Sequence, residues 1–189
     1  RPVISAGQGV HSAEAWPQLR ELAERLAAPV TTSLQGKSAF PEDHPLALGS
    51  GGRAIPKPVH HFLGAADLIF GIGCSFTETN FGVSMPAGKT IIHATLDAMD
   101  LNKDLPSDLG LIGDAGLTLE ALNAEIEEQE EAARRAAQAE AAARQAITET
   151  ARREAEAAAV QASAAEEAET SGDSEPTEGT PETPVVAAE

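Results

Sequence analysis

The sequence predicts an open α/β fold, a mostly parallel sheet flanked by helices. Short apolar runs recur at residues 2–6, 29–32, 67–73, 89–96 and 109–112. Amphipathic helical segments or long loops separate them. Glycines stand at the ends of the first, third and fifth runs. Strands alternating with crossovers make a parallel sheet with right-handed connections. In such a sheet a ligand lies beyond the carboxyl ends of the strands.

Each element has its own signal. Pro-Val-Ile-Ser-Ala at 2–6 reads as a buried strand that ends at Gly7-Gln8-Gly9. This is how a nucleotide-binding turn begins, with Ser12 placed to cap the helix that follows. In that helix Leu19, Leu22, Ala23 and Leu26 form one apolar stripe, and Glu21 and Arg25 make an i,i+4 pair on the wet side. Pro17 predicts a distorted first turn or a start shifted toward Trp16. Pro29 to Thr32 is a second strand. Leu34 to Gly52, rich in glycine and proline, reads as loop. Pro56 to Leu63 reads as a short helix with its prolines in the first turn. The nearly all-apolar run 67–73 suits a strand covered on both faces. The run 89–96 ends at Asp97, and 109–112 leads through Gly113-Asp114 into a helix from Ala115.

The C-terminal third differs in kind. The chain has 189 residues and a net charge of −17. Residues 1–126 carry 8 basic and 14 acidic side chains, and 127–189 carry 5 and 16. Between 127 and 168 stand 18 alanines. Glu130/Arg134, Glu131/Arg135, Glu140/Arg144 and Glu149/Arg153 are acid-first i,i+4 pairs, each supporting a helix by about 0.2–0.5 kcal/mol. A continuous helix from Ala115 would run roughly 80 Å at ~1.5 Å per residue. Only Ile147 and Val160 exceed alanine on a seam, so coiled-coil heptads are lacking and a solvated single helix is expected. From Glu169 the Ser/Gly/Pro/Thr/Glu composition predicts disorder. Three regions follow: 1–126, 127–168 and 169–189.

Net negative charge argues against DNA or RNA as a partner. No run reaches the ~18–20 apolar residues of a membrane span. A single cysteine, Cys74, excludes an internal disulfide and fits a reducing, cytoplasmic compartment. The first residues lack the charged and apolar regions of a signal peptide. The abrupt start on a strand suggests a fragment.

The motifs narrow the chemistry. Gly7-Gln8-Gly9-Val10-His11-Ser12 is GxGxxS, and no acidic residue ends the second strand, where Thr31-Thr32-Ser33 stands. The NAD fingerprint is therefore absent. Gly36-Lys37-Ser38 imitates the end of a phosphate-binding loop, but position 31 is Thr31 rather than glycine. Cys74 has no neighbouring cation to activate it and reads as a small buried thiol. His60 and His61 are adjacent and cannot chelate as an i,i+4 pair. His44 reads as loop structure and His93 as a hydrogen-bonded core histidine. No catalytic residue and no metal ligand set is expected.

The segments "RPVISAGQGVHSAEAWPQLRELAERLAAPVTTSLQGKSAFPEDHPLALG", "ADLIFGIGCSF", "KTIIHATLD" and "LIGDAGLTLEAL", in that order, resemble the central domain of thiamine-diphosphate-dependent enzymes of the acetolactate synthase and pyruvate oxidase type. The resemblance covers residues 1–126 and implies a Rossmann-like (DHS-like) nucleotide-binding domain. It implies two further domains. One carries the activating glutamate, and the other holds thiamine diphosphate through Mg²⁺ with a GDG motif and a later asparagine. Gly113-Asp114-Ala115 lacks that motif's third glycine. The resemblance thus implies a scaffold and cofactor-site domain of a decarboxylase or carboligase, catalytically silent alone, in an enzyme that is a homo-oligomer. The alternatives are an FAD- or ADP-binding structural or regulatory module, or an interaction protein with a helical spacer. Positions matching the family's cofactor cradle are Gly7, Gln8, Gly9, Thr32, Ser33, Gly49, Ser50, Gly73, Cys74, Ser75, Asp97 and Asp114. Acetolactate synthases typically carry two arginines where Ser75 and Thr79 stand here. Losing them removes charge-assisted hydrogen bonds of roughly 1.5–3 kcal/mol each, which Arg53 or Lys57 would have to replace.

Overall fold

The computed structural model describes residues 1–170 except Arg53 and Phe81, with side chains described to Ser163. The chain divides into two compact units, Arg1–Glu131 and Ala132–Glu189.

The first unit is built on a six-stranded, all-parallel sheet. Its strands are β1 (Pro2–Ala6), β2 (Val30–Thr32), β3 (Ala47–Ser50), β4 (Leu68–Ile72), β5 (Thr90–Thr95) and β6 (Leu109–Ile112). Their order is β3-β2-β1-β4-β5-β6. The order reverses between β1 and β4, which pair from Pro2↔Leu68 to Ala6↔Ile72. Alternate residues of these central strands feed two cores. Ile4, Phe70 and Ile72 pack with Leu19 and Leu22 of α2 (Trp16–Leu26) and Leu119 of the C-terminal helix. Val3 and Ile69 pack with Val59 and Leu63 of the helix Lys57–Ala65 (α3) and Ile91 of β5. Burial on both faces is why β1 and β4 read as nearly unbroken apolar runs.

The structure corrects the sequence reading in four places. First, 34–52 is not all loop. It contains the edge strand β3, which holds Gly49 and Ser50 and pairs with β2 through a register shift at Val30/Thr31. Gly49, at φ +93°, gives that strand the appearance of a turn. Second, the segment after Gly7 is two helices. The five-residue α1 (Gln8–Ser12) precedes α2, with Glu14 at φ +51° between them. Third, Ser12 caps nothing: it ends α1, and its hydroxyl donates back to the Gln8 carbonyl at 3.4 Å. Fourth, Leu26 lies outside the buried stripe, at 41 % exposure. Helix α2 starts at Trp16 with Pro17 in its first turn, where a missing N–H costs nothing.

Helix α4 spans Ala115–Thr170. In the first unit Ala115 and Leu119 are buried against the sheet, and the amide of buried Asn123 donates to the Gln18 carbonyl at 3.0 Å. In the second unit every side chain described is exposed or half-exposed. Ile147 and Val160 are 71 % and 70 % exposed. Ion pairs Glu140–Arg144 and Glu149–Arg153 run along the helix. Of the stretch expected to be disordered, Glu169 and Thr170 belong to α4, and 171–189 lie outside the described residues. No helix among the described residues is long and apolar enough to cross a membrane.

Candidate functional site

A crevice of about 670 Å³ opens at the carboxyl ends of the strands, around the reversal between β1 and β4. Nine of the twelve positions expected from sequence line it: Gln8, Gly9, Thr32, Ser33, Gly73, Cys74, Ser75, Asp97 and Asp114. The other three are one step away. Gly7 is buried beneath the floor, Gly49 accepts a hydrogen bond from Thr31 through its carbonyl at 3.0 Å, and the Ser50 hydroxyl bonds that of Thr32 at 2.8 Å.

The glycines of the floor are packed against protein. A Cβ on Gly7 would overlap the Gly73 carbonyl, and one on Gly9 would come within 2.7 Å of the Gly73 Cα. Gly73 itself has φ +61°, a region that favours glycine. The turns after β1 and β4 therefore interlock backbone to backbone. A Cβ on Gly36 would come within 2.6 Å of the Ala6 carbonyl oxygen, and one on Gly51 would overlap Val83.

The amides at these strand ends are also committed. Gly7 N–H donates to Ile72 at 2.9 Å, Gly9 N–H to Gly73 at 2.8 Å, and Ser33 N–H to Ala6 at 2.9 Å. Gly73 N–H donates to Ala94 at 2.9 Å and Gly113 N–H to Thr95 at 3.0 Å. They extend the sheet's hydrogen bonding past the strands, as buried N–H groups must find partners.

The polar side chains have structural employment too. Asp97 accepts from Met99 N–H at 2.9 Å, capping the 3-10 turn Ala98–Asp100. Asp114 accepts from Gly116 and Leu117 N–H at 2.9 and 3.1 Å, capping α4, which also suits the positive end of the helix dipole. Ser33 accepts from Gly36 N–H at 3.0 Å, and Ser75 from Thr77 N–H at 3.3 Å. His93 is fully buried, and its Nε2 lies 2.7 Å from the Cys74 carbonyl, so Nε2 carries the proton. It does not reach the sulfur as a base. Cys74 is half-buried rather than the enclosed thiol expected, but desolvation still pushes its thiol from 9.0 up to about 12, so thiolate chemistry is suppressed. Phe76 packs 4.8 Å from the His93 ring and over Gly71, at φ +50°. Sequence offered no sign of this aromatic plug. It also missed Asp100 and Asp104, both on the wall.

The remaining histidines lie elsewhere. His60 and His61 are exposed on α3. His44 accepts from Leu46 N–H at 3.1 Å and bonds Glu24 at 3.1 Å. Among the described residues no cluster of His, Cys, Asp and Glu is arranged to hold a metal ion. Lys57 starts α3, and Arg53 lies outside the described residues.

Comparison with known proteins places this architecture. Residues 1–122 match the family model described as the central domain of thiamine pyrophosphate enzymes. A probable acetolactate synthase large subunit of Methanocaldococcus jannaschii is 40 % identical over 127 residues, covering 66 % of this chain and 21 % of that protein. Glyoxylate carboligase of Escherichia coli O157:H7 is 34 % identical over 140 residues, covering 71 % and 23 %. A crystal structure described as a thiamin diphosphate-dependent enzyme from Mycobacterium smegmatis superposes with a TM-score of 0.54 at 32 % identity, covering 65 % of this chain and 24 % of that one. The chain spans about a fifth of the length of the first two curated relatives it matches. With its six-stranded sheet and the match over residues 1–122, the chain belongs to the thiamine pyrophosphate enzyme central-domain family.

Proposed function

We propose that this chain is the scaffold of an acetolactate-synthase-like decarboxylase or carboligase, silent in catalysis by itself. Residues 1–126 act as the central domain, followed by a helical segment at 127–168 and a tail at 169–189. The observation that carries the reading is the state of the groups in the crevice. Asp97 and Asp114 serve as caps, His93 is tied to a carbonyl, and the Cys74 thiol holds its proton. None is paired as nucleophile and base, the arrangement that covalent or acid–base catalysis needs.

Thiamine diphosphate supplies, when bound, the carbanion that makes and breaks bonds beside a carbonyl. Its Mg²⁺ and diphosphate would be held by domains other than this one. This chain contributes a rigid sheet that spaces those domains and a share of the contacts of a cytoplasmic homo-oligomer.

Two measurements test the reading. The purified 189-residue chain, given thiamine diphosphate, Mg²⁺ and pyruvate, should release no CO₂ and form no acetolactate. Residues 1–126 exchanged for the central domain of the Methanocaldococcus relative should give a folded chimera that retains turnover. Turnover by the chain alone would overturn the proposal.

A further inference from the structure

We propose that this crevice keeps the shape of a nucleotide site but excludes ligands carrying a diphosphate, FAD and ADP included. The inference rests on the reading of the chain as a central domain and concerns what that domain's crevice holds.

Three independent features point the same way. The wall carries five carboxylates, Glu78, Asp97, Asp100, Asp104 and Asp114, and no lysine or arginine among its described residues. Among the described residues Lys103 stands beside the wall, its Nζ donating to the Thr77 hydroxyl at 3.5 Å. A diphosphate entering here would meet like charge, at a site partly shielded from water where such repulsion is strongest. Next, a glycine-rich turn binds phosphate by offering unpaired amides at close approach. Here the Gly9 amide is spent on the Gly73 carbonyl at 2.8 Å, and the space above Gly9 is filled by Gly73. Finally, α1 is only five residues long, and the amino end of α4, which also opens on the crevice, is already taken by the Asp114 carboxylate, which accepts from Gly116 and Leu117 N–H. Hydroxyls from Ser12, Thr32 and Ser33 remain on the wall, but they do not balance phosphate charge.

The test is titration calorimetry of the full 189-residue chain with FAD and with ADP, each with and without Mg²⁺. Arg53, outside the described residues, is present in the titrated protein, so its charge is counted. No saturable binding is expected up to about 1 mM ligand, the weak limit of specific affinity. A companion variant tests the cause. Glu78→Gln and Asp104→Asn neutralise two exposed carboxylates with near-isosteric amides, and Ser75→Arg adds a cation. The triple variant, checked for the native circular dichroism spectrum, should bind ADP saturably with a Kd below about 1 mM, where the unmodified chain shows none. If it fails to refold, the pair of amide substitutions alone should still give a measurable gain. Saturable binding of FAD or ADP by the unmodified chain, with or without Mg²⁺, would overturn the inference. So would folded variants that gain nothing. Tight binding without turnover would break this inference and leave the scaffold reading intact, whereas turnover by the chain would break the scaffold reading itself.

Discussion

The two units of this chain are stabilised by different kinds of interaction. In Arg1–Glu131, Ile4, Ile69, Ile72, Leu19 and Leu119 are fully buried and come from segments far apart in sequence. In the described part of Ala132–Glu189, ion pairs join neighbours three or four positions apart, as in Arg152–Glu149 and Arg153–Glu149. Alanine propensity and i,i+4 pairs are enough to form a helix, but they bring no distant residues together. The crevice described above lies in the first unit. Local rules specify an element, whereas a site requires contacts that local rules do not encode.

The two units should respond differently to change at particular residues. The largest effect is expected at Cys74, in the first unit. Cys74 is half-buried on the crevice wall with its thiol pushed up to about 12 by desolvation, so a disulfide reagent at pH 8 should modify it at least about a hundredfold more slowly in the native chain than in urea. The linked effect on stability follows in sign. Between pH 9 and 12 the unfolded chain releases this proton before the folded one, so stability falls as pH rises through that window. Native and unfolded chains reacting at equal rates would show that the first unit does not shield the thiol.

Next comes Gly73→Ala. It forces a side chain into φ +61° and against the Gly9 backbone, and should cost about 3 kcal/mol by urea denaturation. The helical signal of the second unit should survive that loss, because its hydrogen bonds are local. A smaller gain is expected from Ala27→Gly. Ala27 ends α2 in the left-handed region at φ +47°, so glycine there should stabilise the first unit by about 0.5–1 kcal/mol in the same assay. The smallest effect belongs to the second unit. Glu149→Gln removes a carboxylate paired with Arg153 and with Arg152, which keeps Glu156, and should lower helicity by about 0.2–0.5 kcal/mol per pair lost, and less in 1 M salt.

What sequence revealed follows the same division. Strands β1, β4 and β5 were legible because burial on both faces leaves an apolar run. Helix α4 was legible from alanine and charge spacing alone. Strand β3 was not, since Gly49 and the prolines before it carry every mark of a loop. The break between α1 and α2 depends on Glu14 adopting φ +51°, which no neighbouring residue announces. In the crevice, sequence located the turns but not the contact that closes them. Gly7, Gly9 and Gly73 are the residues a phosphate site would use, and equally those two interlocking turns require. The difference lies in what fills the missing Cβ, and that is a contact between segments about sixty residues apart. Phe76 was invisible for the same reason: its ring is placed by Gly71 and His93, not by its own neighbours.

The glycine turns at the strand ends are closed upon each other. Amide hydrogen exchange at Gly9 in the ligand-free chain tests this closure most directly. Its N–H is given to the Gly73 carbonyl at 2.8 Å, so it should exchange about a thousandfold more slowly than an unstructured amide, with the protection of the β1 and β4 core. A Gly9 amide that exchanges as fast as an open loop, and slows only when a nucleotide is added, would contradict it.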